Sequence, residues 1–192
     1  CDMTGHRLIS LEDSAGVIAA VVEKTGEGER PSAPVGQRNV TIVVFSDDFD
    51  RALAAFVIAN GAASAGKKVT LFFTFWGLNI LKKAARVRVR KDFMGRMFGL
   101  MLPRNTGGLK LSKLNLAGLG APMMRRRMKS LKIDSLEQMV ASAVAAGVQV
   151  VACQMSMDVM GVKREELIDQ ATVGGVATYL GEAEKGGVNL FV

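Results

Sequence analysis

Residues 40–74 constrain the fold more than any other stretch. Val40-Thr41-Ile42-Val43-Val44-Phe45 is an unbroken run of strand length, rich in β-branched residues and without polar alternation. It reads as a strand buried on both faces. Ser46-Asp47-Asp48-Phe49-Asp50 supplies an N-cap and first-turn acids for a helix predicted over Arg51–Ala65, with Leu53, Phe56, Val57 and the small Ala59, Asn60 and Ala63 as its packing face and Gly66 as its stop. Lys68–Thr74 is the next strand, and the three elements make a βαβ unit. Met123–Lys129 is predicted helical. A further helix starts at a cap on Asp134 or Ser135 and ends at Gly147, and a strand follows from Val148. Val162–Ile168 is a short helix, Val173-Gly174-Gly175-Val176 leads into a helix over 177–184, and Val188–Val192 is the last strand. This order predicts an α/β fold, a layered domain with a mostly parallel sheet flanked by helices.

The turn after the first strand contains no Gly-x-Gly-x-x-Gly and carries three acids where a pyrophosphate would sit, and no Walker A motif occurs. A standard dinucleotide site is therefore excluded. Chemistry concentrates instead in Val148–Gly161. Val148-Gln149-Val150-Val151-Ala152 is a short apolar run that delivers Cys153 to its end, and the Met-rich segment that follows, Gln154-Met155-Ser156-Met157-Asp158-Val159-Met160-Gly161, reads as a turn into a helix. Ligands of open α/β sheets bind outside the carboxyl ends of the strands, and a thiol at a helix N-terminus is favoured as thiolate. Cys153 is thus a candidate nucleophile. The other reading is a small buried hydrophobe, the usual state of a free cysteine. Gln154, Ser156 and Asp158 favour function, since an apolar site does not need them; an Asp158 carboxylate close to Cys153 would oppose the thiolate. Trp76, the single tryptophan, follows the second strand in Thr74-Phe75-Trp76-Gly77-Leu78, ahead of another helix. It is expected near the same sheet edge, as a buried packing aromatic or as an apolar wall of a small site.

With 192 residues, 49% hydrophobic and 22% charged, the chain can bury a substantial core. No apolar run reaches the roughly 18–20 residues of a membrane span. Two cysteines make no disulfide framework, which points to a reducing, cytoplasmic setting. The net charge of +7 gathers in Arg86–Lys91 and Arg125–Lys129. Few aromatics and no helix-turn-helix or RNP pattern argue against nucleic acid; a solvated face or contact with an anionic partner or membrane surface are the other readings. Residues 86–118 are too long for a plain connection. Their Met- and Phe-rich run Phe93–Pro103 suits an oligomer interface, a lid over Cys153 or a membrane-surface helix.

Residues 1–24 stand apart as a β-hairpin, with strands around His6–Glu12 and Val17–Lys24 and a turn at Asp13–Gly16. A lone hairpin is marginal, so an earlier part of its sheet is expected to precede Cys1. Cys1 and His6 alone do not make a zinc site, and no metal is expected. Residues 25–38 have linker composition.

Cys153-Gln154-Met155-Ser156-Met157-Asp158-Val159-Met160-Gly161 resembles the active-cysteine segment of the DsrE/DsrF/DsrH-like sulfur-transfer family, and Val44–Ala52 and Phe72–Gly77 resemble the same family. The branch it looks closest to occurs with TusA-like, rhodanese and pyridine-nucleotide disulfide reductase domains. Cys1–Leu8 resembles the final helix-to-strand junction of a TusA-like domain, whose Cys-Pro motif is absent here. The resemblance implies a cysteine, Cys153, that holds sulfane sulfur as a persulfide and relays it between donor and acceptor thiols. It also implies homo-oligomers, TusA-like or rhodanese-like partners or small persulfides, and no metal or organic cofactor. Gln154, Met155, Ser156, Asp158, Trp76 and Asp47 are the candidates for stabilising the persulfide or lining its pocket. The rival expectation is a non-catalytic oligomeric interaction module that uses residues 86–118.

Overall fold

A computed structural model describes residues 7–14, 17–23, 39–85, 87, 89–91, 93–103, 105–113, 115 and 118–192. Cys1, His6, the linker 25–38 and Arg86 and Arg88 lie outside the described residues. The chain divides into two units, 1–36 and 37–192. In the first, β1 (Arg7–Ser14) and β2 (Val17–Glu23) pair antiparallel, with a register shift between Leu8 and Ser10. This is the hairpin expected from the alternation.

The second unit is built on five parallel strands, β3 (Asn39–Val44), β4 (Val69–Phe73), β5 (Gln149–Cys153), β6 (Thr172–Gly174) and β7 (Gly186–Phe191), in the order β6-β5-β4-β3-β7. The chain steps outward from β3 to β6 and then returns to the other side of β3. Right-handed crossovers put connections made in opposite directions on opposite faces, and the helices follow that rule. α1 (Phe49–Ser64) and α4 (Leu136–Ala145) pack together, while α6 (Val176–Ala183) contacts β3, β6 and β7.

The strand period of two sorts the side chains. Ile42, Val44, Leu71, Phe73, Val150 and Ala152 join α1 in the main core, where Phe49, Ala52, Phe56 and Ala59 form one buried stripe. The small Ala52, Ala55 and Ala59, all buried, let the helix lie close on the sheet. Phe72, Val151 and Cys153 point the other way and meet Tyr179 of α6. α4 begins with a capping box in which Ser135 and Gln138 satisfy each other's backbone N–H groups.

Three local expectations are corrected. The helix after β4 is a 3-10 helix, Phe75–Leu81. The helix in 162–168 is one 3-10 turn, Arg164–Glu166. Val173-Gly174 lies in the edge strand β6, which pairs with β5. Residues 86–118 include α2 (Phe93–Met101), and α3 (Gly120–Ser130) follows. Gly161, with φ +62°, ends α5 (Gln154–Met160) and packs on Gly95 of α2. A Cβ there would lie 2.4 Å from the Gly95 Cα, so only glycine admits this approach.

Candidate functional site

Parallel strands bring the ends of β3, β4 and β5 to one edge. The register that pairs Phe73 with Ala152 sets Thr74 alongside Cys153. Cys153 closes β5 and is the N-cap residue of α5, at φ −70° and ψ 116°. The strand–cysteine–helix arrangement expected from the sequence is therefore present. The thiol is enclosed. Cys153 is 2% exposed, packed in the cluster of Phe72, Val151 and the half-buried Tyr179. The Phe72 and Tyr179 rings lie 5.4 Å apart.

Ser156 is fully buried, and its hydroxyl lies 2.7 Å from the Thr74 hydroxyl, fastening α5 to the end of β4. The 3-10 helix that follows Thr74 is itself pressed onto β3. Gly77 N–H donates to the Phe45 carbonyl at 2.8 Å, and a Cβ on Gly77 would fall 2.1 Å from the Val44 carbonyl oxygen. Between them Phe75 takes φ +46°, a left-handed conformation unusual for a bulky residue. Thr74 is thus held in a tight, strained turn beside the cysteine.

The remaining candidates divide. Gln154 spends its amide on both Asp158 oxygens, each at 3.0 Å, along the exposed side of α5. Met155 is exposed, with Val159 one turn on. Trp76 stands at the same edge as Cys153 but is 42% exposed, so the expected burial is not found. Asp47 follows β3, beyond β4 from Cys153, and accepts a 2.8 Å hydrogen bond from the Asn79 amide. Burial, the largest cause, pushes the Asp47 carboxyl up, aided by the Asp48 charge and opposed by Asn79. Thr74, Tyr179 and Asn79 are the residues that sequence reading missed. Tyr179 had one signal, being the single tyrosine in the chain.

The edge between β3 and β7, where the strand order reverses, is filled. Phe45 stacks on Phe191 at 5.8 Å, and the Phe45 N–H donates to the Val192 carbonyl at 2.8 Å. The cysteine consequently lies at the carboxyl edge but away from the switch point that open α/β sheets commonly use. Among the described residues no group of three or more His, Cys, Asp or Glu is placed to hold a metal ion, and no helix is long and apolar enough to cross a membrane.

Fold and site together define a parallel α/β protein with an enclosed cysteine at the carboxyl edge of its sheet. The chain belongs to the DsrE/DsrF/DrsH-like family, whose pattern it matches over residues 36–191. It is 46% identical over 155 residues to the uncharacterized protein YrkE of Bacillus subtilis (strain 168), covering 81% of this chain and 97% of that one. It is 29% identical over 160 residues to the sulfur carrier protein DsrE2 of Allochromatium vinosum, covering 81% and 99%. Among solved structures, the ychN protein of E. coli superposes with a TM-score of 0.48 at 12% identity, covering 81% of this chain and 99% of that one.

Proposed function

We propose that this protein is a sulfur carrier that holds sulfane sulfur as a persulfide on Cys153. The observation that carries the reading is the position of Cys153, at the carboxyl end of a central parallel strand and at the head of a helix. Membership of the family and the likeness to a protein named as a sulfur carrier support it. In the loading step the Cys153 thiolate attacks the outer sulfur of a donor persulfide. The donor's S–S bond breaks, its thiolate leaves, and Cys153–S–SH forms. An acceptor thiolate then attacks that outer sulfur and releases Cys153 as thiolate. Each step exchanges one S–S bond for another, so no external oxidant or reductant is needed.

Enclosure by Phe72, Val151 and Tyr179 suits a carrier, because a persulfide kept from water and stray thiols survives until a partner opens the site. The exposed Trp76 and Met155 at the same edge offer an apolar rim for such a partner, TusA-like or rhodanese-like in this reading. Residues 1–24 are read as the end of a TusA-like domain.

The test is mass spectrometry after incubation with thiosulfate, polysulfide or glutathione persulfide. One added sulfur on the Cys153 peptide, removed by reductant and absent in Cys153→Ser, is expected. Equal loading of the Cys153→Ser variant would sink the assignment. A second reading rests on α2, where Phe93 and Met101 are 79% and 74% exposed. That surface fits subunit or partner contact, or an anionic membrane. Light scattering checks the first, and salt-sensitive liposome sedimentation checks the last.

A further inference from the structure

A cleft of about 630 Å³, unused by the sulfur chemistry, is lined by Lys82, Lys83, Lys91, Arg96, Asn105 and Glu166 among others. Gly95 in its wall is the residue that packs on Gly161 at the far end of α5 from Cys153. Its volume is that of a small-molecule site, roughly 300–1,000 Å³. Among the described residues of the wall, four are cations and one is an acid. The acid is already engaged, for Glu166 takes the Lys91 ammonium at 2.7 Å. Lys83 is held by Asp169, also at 2.7 Å.

Lys82 is different. It is 8% exposed, and no described carboxylate lies within ion-pairing distance. Among the described residues its ammonium makes one hydrogen bond, to the Pro103 carbonyl at 3.3 Å. An ammonium has three N–H donors and is costly to desolvate without a counter-ion. Burial, the largest cause, and the Lys91 charge press Lys82 down to about 8, against the pull of Glu166 and Asp47.

We propose that this cleft binds a small oxyanion, phosphate or a sulfur oxyanion, free or as the anionic end of a larger molecule, with Lys82 as its counter-ion. Such an anion supplies both things that no described residue gives Lys82, a negative charge in direct contact and further acceptors for its N–H groups. At a buried ammonium those charge-assisted bonds are strong. Arg96, exposed in the wall and without a described carboxylate partner, adds a second cation. The site is independent of Cys153.

Calorimetric titration of the full chain at low ionic strength, with sulfate, thiosulfate, phosphate and ADP in turn, tests this. At least one is expected to bind. Lys82→Met should weaken it roughly 10- to 100-fold, the loss of one charge-assisted hydrogen bond, and Arg96→Gln should weaken it severalfold. Sulfate, which does not titrate in this range, should bind less well at pH 9 than at pH 7. The charged groups around Lys82 are Glu166, Asp47, Lys83, Lys91 and Arg96, and Lys82 is the one placed at about 8. ADP binding far above phosphate identifies the anionic end of a larger molecule, and equal binding identifies the free ion. Circular dichroism checks the fold of Lys82→Met; if that variant is unfolded, Arg96→Gln and the sulfate pH profile decide. Absence of binding by all four probes, affinity unmoved by the substitutions, or a flat sulfate profile would overturn the proposal.

Discussion

Ser156 and Thr74, 82 residues apart in sequence, share a hydrogen bond of 2.7 Å between their hydroxyls, one at the start of α5 and the other at the end of β4. The bond fixes the helix that begins at Cys153 to the neighbouring strand. Ser156→Ala leaves the Thr74 hydroxyl without this partner, at an expected cost of about 1–3 kcal/mol. Thr74→Val should cost a similar amount, and the double variant less than the sum. Urea denaturation of the four proteins checks the coupling; strict additivity would show that the bond contributes nothing.

Gly77 lies so close to β3 that any side chain strikes the Val44 carbonyl. Gly77→Ala should therefore destabilise by about 1–3 kcal/mol, the usual cost of overpacking. Because the same turn positions Thr74, persulfide loading of Cys153 should fall as well. Thermal melts and loading assays on this variant report the two effects separately.

Tyr179 covers Cys153, so alkylation of the native thiol should be slow compared with that of the unfolded chain. Tyr179→Ala should speed it severalfold, whereas Tyr179→Phe, which keeps the ring, should leave it near the native rate. Iodoacetamide kinetics at fixed pH discriminate between them, and equal rates in all three proteins would mean that the ring does not control access.

Asp47 provides a pH test. Its folded-state proton affinity is raised, chiefly by burial. An acid of this kind favours the fold when protonated, and that contribution is lost as pH rises through the ordinary carboxylate value toward the raised one. The carboxylate form of Asp47 is therefore the one the fold disfavours. Asp47→Asn keeps an acceptor for the Asn79 amide and brings an N–H for the buried Asn79 Oδ1, which has no partner among the described residues. The variant should gain stability over wild type at pH 7, and the gain should shrink toward pH 4. Denaturant midpoints at both values measure it, and a gain independent of pH would contradict it.

The β-branched runs ending at Val44 and Ala152 were legible as strands because burial on both faces leaves an unbroken apolar signature. The place of Cys153 followed from the strand–helix junction alone. β6 was not legible, since Thr172-Val173-Gly174 has neither the length nor the pattern of a strand and is held by its pairing with β5. Partnerships at the site were also hidden. Nothing local in the sequence says that Asp47 meets Asn79, 32 residues on, or that Ser156 meets Thr74. Nor does it say that Lys82 is buried while its neighbour Lys83 reaches Asp169. Trp76 shows the converse. Composition favours burial for tryptophan, yet the tight turn at Gly77 leaves it at the rim.

β3 sits between β4 and β7. Thr41 of β3 is hydrogen-bonded to Asn189 of β7 across 148 positions of the chain. One flank of β3 can be covered early, by the β4 that follows it through α1. The other waits for β7, which leaves the ribosome roughly 6–24 s later at ordinary synthesis rates. Until then Val43 and its neighbours present an open strand edge to any chain nearby. Distant pairing of this kind slows folding, so nascent chains halted before residue 186 should be the species most in need of a chaperone.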